Sequence, residues 1–279
     1  MSVSDYRNKI LDRVEKHRSS VDHDLNSILN LANSNEKLSE LVGVINDKDA
    51  TPEQKTGALS TLNAVSIFSS AARRLQPEIV NALRGQIEAT DIDLRHGAIA
   101  TLAAMKDDIV QERLLEEVTS DKPENEKLVP TASALAMLGR DDKALPSSVL
   151  REIMIDPPSK ESQIEAIRQM PSDPEACEDL ISLMKDDSVP LEARVMIPEM
   201  VSEADPDAFL SAAEDMLNTS GADSKLAPWL VNGIANAAVQ DANAATSAKE
   251  LVKKLRKGAP KSFQSAASTL LDKDNASDD

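Results

Sequence analysis

Aromatic residues are nearly absent from this chain. They make up 2% of its 279 residues, with one Trp, one Tyr and three Phe. An apolar fraction of 41% still permits a core, so Ala, Leu, Ile, Val and Met must fill it. Small aliphatic side chains suit closely packed helices better than the aromatic and β-branched faces of sheets. Glycine is scarce as well, at 8 residues, which argues against an all-β or dinucleotide-binding α/β chain with its many tight turns. The single cysteine, Cys177, leaves no partner for an internal disulfide and fits a reducing cytoplasm. No apolar run reaches the roughly 18–20 residues of a membrane span. The opening MSVSDYRNKILDRVEKHR is charged throughout and lacks the apolar stretch of a secretory signal. A net charge of −17 repels phosphate backbones and argues against nucleic acid as the main partner.

Catalytic patterns are also missing. His17 and His23 stand far apart around a helix axis and His96 is isolated, so no metal-binding histidine pair forms. Cys177 lies among Asp173, Glu175, Glu178 and Asp179, which disfavour a thiolate. There is no nucleophile elbow, Walker loop or glycine-rich dinucleotide fingerprint. Carboxylate pairs such as Glu116-Glu117 and Asp186-Asp187 read as solvated faces or helix-end groups. No catalytic, cofactor or metal residue is assigned on this basis.

What the chain does have is a repeat. TPEQKTGALSTLNAV (51–65) returns as DIDLRHGAIATLAAM (91–105), with Gly-Ala and Thr-Leu in register. The same small-apolar-x-x-apolar grouping recurs at Ala134-Leu135/Leu138, Ala166-Ile167/Met170, Met196-Ile197/Met200, Leu230-Val231/Ile234 and Ala266-Ala267/Leu270. The steps lie between 30 and 40 residues. Each anchor falls on one face of a helical pattern. Between anchors sits a second amphipathic segment: 77–89, 108–118, 147–154, 175–184, 207–217 and 246–256. Breakers such as DKPEN, DPPSK and SGADS separate them. Thr51-Pro52-Glu53-Gln54 has the form of a capped helix start. Gly57 and Gly97 suit close backbone approach. Pro198, inside VMIPEMV, predicts a kink or a helix boundary, and Pro228 fits a first helical turn capped by Ser224. A two-helix unit of about 35 residues cannot bury its apolar face alone, so the pattern returns wherever the same neighbour contact returns.

DIDLRHGAIATLAAMKDD resembles the second helix of a HEAT repeat: an Asp in the turn (Asp91 or Asp93), Arg95 at the helix start, then Ala98 and Leu102. DDSVPLEARVMI, with Asp187 and Arg194, resembles the same motif about two residues out of register. At the aligned positions Lys55 keeps only the charge, and Thr131 and Gln163 lack the base. The similarity covers roughly residues 36–272. A tetratricopeptide array would want more Trp and Tyr, and the ankyrin Thr-Pro-Leu-His is missing. The resemblance implies an all-α fold: an α-α superhelix, a HEAT-like solenoid of about seven two-helix repeats. Residues 1–46 would be N-terminal capping helices, 47–272 the array and 273–279 a frayed acidic tail. It also implies an Asp–Arg ladder through Asp91, Arg95, Asp187 and Arg194.

Helical phase places Thr56, Ser60, His96 and Lys127 on the inner surface of such an array. Trp229, in LAPWLVNGI, either fills a groove between helices or stands exposed as a partner anchor. Lys253, Lys254, Arg256 and Lys257 form a basic segment against the acidic trend, either a solvated face or a patch for an acidic surface. The expected function is a non-catalytic scaffold that binds a protein partner, without cofactor, in the cytoplasm. Two alternatives are a HEAT-like lyase-type enzyme or enzyme subunit, and a nucleic-acid or membrane-surface binder working through the basic segments.

Overall fold

A computed structural model describes residues 34–66, 70–139, 145–220, 225–240 and 242–255. These residues form helices joined by short turns, with no strand among them. No helix among them is long and apolar enough to cross a membrane. The chain divides into two compact units, Met1–Arg113 and Leu114–Asp279.

The first unit holds α1 (Asn35–Asn46), α2 (Pro52–Ser66), α3 (Ser70–Arg74), α4 (Gln76–Arg84) and α5 (Ile92–Ala104), and the division falls within α6 (Asp108–Thr119). The second holds α7 (Thr131–Leu138), α8 (Ser147–Ile155), α9 (Lys160–Gln169), α10 (Cys177–Lys185), the short α11 (Leu191–Arg194), α12 (Ile197–Ala204), α13 (Pro206–Ser220), α14 (Ala227–Gln240) and α15 (Ala242–Leu255). The predicted intervening segments match α4, α6, α8, α10, α13 and α15. Residues 1–33 and 256–279 lie outside the described residues, and so do the predicted caps before Ser34, Ser224, the Ala266-Ala267/Leu270 anchor and the tail.

The anchors carry the packing. Ala58, Leu59 and Leu62 on α2, and Ala98, Ile99 and Leu102 on α5, are buried, and α2 packs on α5. In the second unit α9 packs on α7, α8 and α11, while α12 packs on α14. Ala134, Leu135, Leu138, Ala166, Ile167, Leu230, Val231 and Ile234 are all buried there. The intervening helices also meet one another, α10 with α13 and α13 with α15. Each fully buried Leu or Ile stabilises its unit by about 1.5–3 kcal/mol.

One anchor sits differently. Met196 and Met200 are half-exposed, whereas Ala193, Ile197 and Val201 are buried. Pro198 is the cause. Proline is tolerated in a first turn, where its missing N–H costs nothing, so the chain ends α11 at Arg194 and restarts α12 at Ile197. Pro228 likewise lies in the first turn of α14.

Local chemistry sets several boundaries. Thr51 and Gln54 cap α2 reciprocally: the Gln54 N–H donates to Thr51 Oγ1 at 3.3 Å and the Thr51 N–H to Gln54 Oε1 at 2.8 Å. Ser159 and Ser162 do the same for α9. At the end of α5, the Lys106 N–H donates to the Ala103 carbonyl and the Asp107 N–H to the Leu102 carbonyl, a left-handed C-terminal cap with Lys106 at φ 57°. A β-carbon there is strained. Lys106→Gly is therefore expected to raise the unfolding free energy by about 1 kcal/mol, read as a higher melting midpoint by circular dichroism.

The two glycines of the repeat differ. A β-carbon on Gly97 would stand 2.8 Å from Leu59 Cδ2, so glycine lets α5 approach α2. Gly57 is exposed and faces open space, so close approach does not account for it.

Candidate functional site

The helix pair α12 and α14 builds the most distinctive surface of the second unit. On α14, the inward face is Leu230, Val231, Ile234 and Ala237, all buried. Trp229, Asn232, Gly233 and Asn236 follow at helical spacing on the neighbouring face. Opposite them stand Val195, Pro198 and Glu199, and the residues enclose a groove of about 290 Å³. Gly233 makes the close approach. A β-carbon there would lie 2.4 Å from Phe209 Cζ and 3.1 Å from Pro198 Cβ, and Phe209 is fully buried.

Trp229, the only tryptophan, remains 46% exposed at this groove. Asn232 is exposed. Asn236 Nδ2 donates to Ser202 Oγ at 3.0 Å, and Ser202 Oγ donates to the Glu199 carbonyl at 2.9 Å. The groove thus joins a half-exposed aromatic face, two amides four residues apart and one exposed carboxylate. That set suits non-covalent binding of a chain: an apolar surface for anchoring and amides for orientation.

The other expected surface residues fall elsewhere. Thr56 and His96 are half-buried and Ser60 is exposed, on the contacting helices α2 and α5 of the first unit. Between those helices Thr101 Oγ1 donates to Asn63 Oδ1 at 3.0 Å. Lys127 is not a surface group: its side chain is 2% exposed, and Nζ donates to Thr131 Oγ1 at 2.9 Å and lies 3.6 Å from Glu124 Oε1. Thr131 donates in turn to Glu124 from both its N–H (2.9 Å) and its hydroxyl (2.5 Å). A buried lysine needs such partners, and this cluster fixes the turn before α7. Lys253 and Lys254 are exposed, and Lys254 pairs with Glu214 of α13. Arg256 and Lys257 lie outside the described residues.

Asp91, Arg95, Asp187 and Arg194 each make a contact close in sequence. Asp91 caps α5, accepting from the Leu94 N–H at 2.8 Å. Arg95 Nη1 donates to the Ala89 carbonyl at 2.8 Å. Arg194 donates to Asp187 Oδ1 at 2.5 Å and from Nε to the Met184 carbonyl at 2.9 Å. Gln163 performs the same task, its Nε2 donating to the Met154 carbonyl at 3.0 Å. Arg95, Gln163 and Arg194 each stand fourth in their helix, and each ties that helix to a carbonyl of the preceding helix end or turn. The requirement is a long donor rather than a positive charge, which is why glutamine serves.

Ion pairs between successive intervening helices escaped the sequence reading. Arg151 of α8 meets Asp179 of α10 at 2.7 Å, Lys185 of α10 meets Asp215 of α13 at 2.8 Å, and Glu214 of α13 meets Lys254 of α15. Partners 28 to 40 residues apart leave no local signature. All are partly exposed, so solvent screening leaves each of them a weak contribution to stability. Cys177 is buried, and burial, with Asp205 and Asp173 nearby, raises its thiol pKa above the usual cysteine value. Such a thiol is a poor nucleophile.

No protein-family model matches the chain, and no curated protein gives a significant match.

Proposed function

We propose that the protein is a HEAT-like scaffold, an α-α superhelix of about seven two-helix repeats, which binds a protein partner without catalysing a reaction. The observation that carries this reading is Trp229, half-exposed on a groove that Val195, Pro198, Asn232 and Gly233 also line. A tryptophan exposed at a preformed groove loses apolar hydration when a partner covers it, and tryptophan is enriched among residues that dominate interface energies. The returning anchor pattern, and the fourth-position donor that returns with it, support the repeat architecture.

The test is capture from the native cells by tagged wild type and by Trp229→Ala, compared quantitatively. The substitution removes a half-exposed side chain, so the helix signal should be retained. At least one protein is expected to fall roughly tenfold or more with the variant. An unchanged set of captured proteins would reject the groove as the partner site. Nucleic acid or lipid retained by both and released by salt would transfer the role to the basic segments.

A further inference from the structure

The groove lining specifies what kind of chain fits it. We propose that its occupant is an extended polypeptide segment carrying an arginine or lysine; this rests on the groove being the partner site. The amides set the conformation. Asn232 and Asn236 are four residues apart on α14, a rise of about 6 Å. Same-side residues of an extended chain repeat at about 6.6–6.8 Å, so two alternate backbone units can meet the two amides. A primary amide offers two donor hydrogens and an acceptor; Asn236 gives one hydrogen to Ser202 Oγ, and its second hydrogen and its oxygen, like the Asn232 amide, match the N–H and C=O that an extended residue leaves free. A helical ligand has already satisfied its own backbone groups, and would leave both asparagines facing side chains alone.

Charge selects the side chain. Among the described residues, Glu199 is the only charged residue lining the groove. α14 carries no charged residue, and α12 contributes only Glu199 and Glu203. Arg194, in the preceding short helix, is held by Asp187 and the Met184 carbonyl. An arginine or lysine can lay its aliphatic stem on the exposed face of Trp229, with its head drawn to the ring and to Glu199. An acidic segment meets repulsion from Glu199 and from the net charge of −17.

The probe is a random dodecapeptide display library, selected on the full chain and counter-selected on Trp229→Ala. The expected result is enrichment of sequences with Arg or Lys at one fixed position and no helical spacing of apolar residues. A synthetic peptide from that set should bind roughly tenfold more weakly when its base is changed to Glu, or when the protein carries Asn232→Ala with Asn236→Ala. Trp229 emission reads the binding directly. Enrichment of acidic sequences, or of apolar residues at i, i+3 and i+4, would overturn this chemistry while leaving the groove a partner site. Peptides held equally by Trp229→Ala, or no enrichment at all over that variant, would overturn both.

Discussion

Phe209→Ala is expected to lower the unfolding free energy of the second unit by about 3–5 kcal/mol. The ring is fully buried, and it is the largest fully buried side chain among the described residues. The cost has two parts, the apolar transfer energy and a cavity that close-packed helices cannot collapse. The cavity would open beside Gly233, whose missing β-carbon lets the ring lie so close. This makes a second expectation part of the same test. Gly233→Ala alone forces its methyl group onto Phe209 and should destabilise by about 1–3 kcal/mol. Placed in the Phe209→Ala background, the same methyl no longer meets the ring and keeps only the 3.1 Å approach to Pro198 Cβ, so most of that penalty should vanish. Denaturant unfolding followed by Trp229 emission measures both, because the only tryptophan reports from this unit. Equal costs of Gly233→Ala in the two backgrounds would show that the ring does not set the approach of α14.

In the first unit the largest effect is expected at Asp107. Its side chain is 5% exposed and accepts from Arg84, from Nη2 at 2.7 Å and from Nε, shared between the two carboxylate oxygens, at 3.1 and 3.3 Å. It also accepts from the Val110 N–H at 3.3 Å, which caps α6. Asp107→Ala removes pair and cap together. The cap contributes about 1 kcal/mol. The pair contributes less than the 3–5 kcal/mol of a fully buried one, because Arg84 is 37% exposed and can turn to water. A total of about 2–3 kcal/mol follows. Asp107→Asn keeps a cap oxygen and should cost about half as much. Chemical denaturation followed by circular dichroism orders the two, and an alanine variant no worse than asparagine would remove the cap from the account.

Much of the fold was legible because helical packing writes itself locally. Apolar spacing located the buried anchors on α2, α5, α7, α9 and α14, and Thr51 with Gln54 marked the start of α2. The Met196 register was misplaced because periodicity alone does not say on which side of Pro198 a helix restarts. Lys127 was assigned to the surface from helical phase alone, and phase does not show that Glu124 and Thr131 meet it through the turn before α7. Gln163 looked like a departure from the pattern, since a search for charge cannot see that carbonyl-seeking length is what matters. At the groove, the sequence left Trp229 between two outcomes. Its exposure depends on how closely Gly233 lets α14 approach Phe209 and Pro198, and that contact joins residues far apart in the chain.

Occupancy of the Trp229 groove by a partner chain can be read by site-specific photo-cross-linking in the native cells. A photo-reactive amino acid replaces Val195, a half-exposed residue of the groove wall. The control carries it in place of Val239, which is 81% exposed on α14 and is not part of the groove lining. A discrete protein adduct is expected from position 195, lost when Trp229→Ala is added, and none from position 239. The same adducts from both positions, or an adduct at 195 that survives Trp229→Ala, would contradict occupancy of the groove.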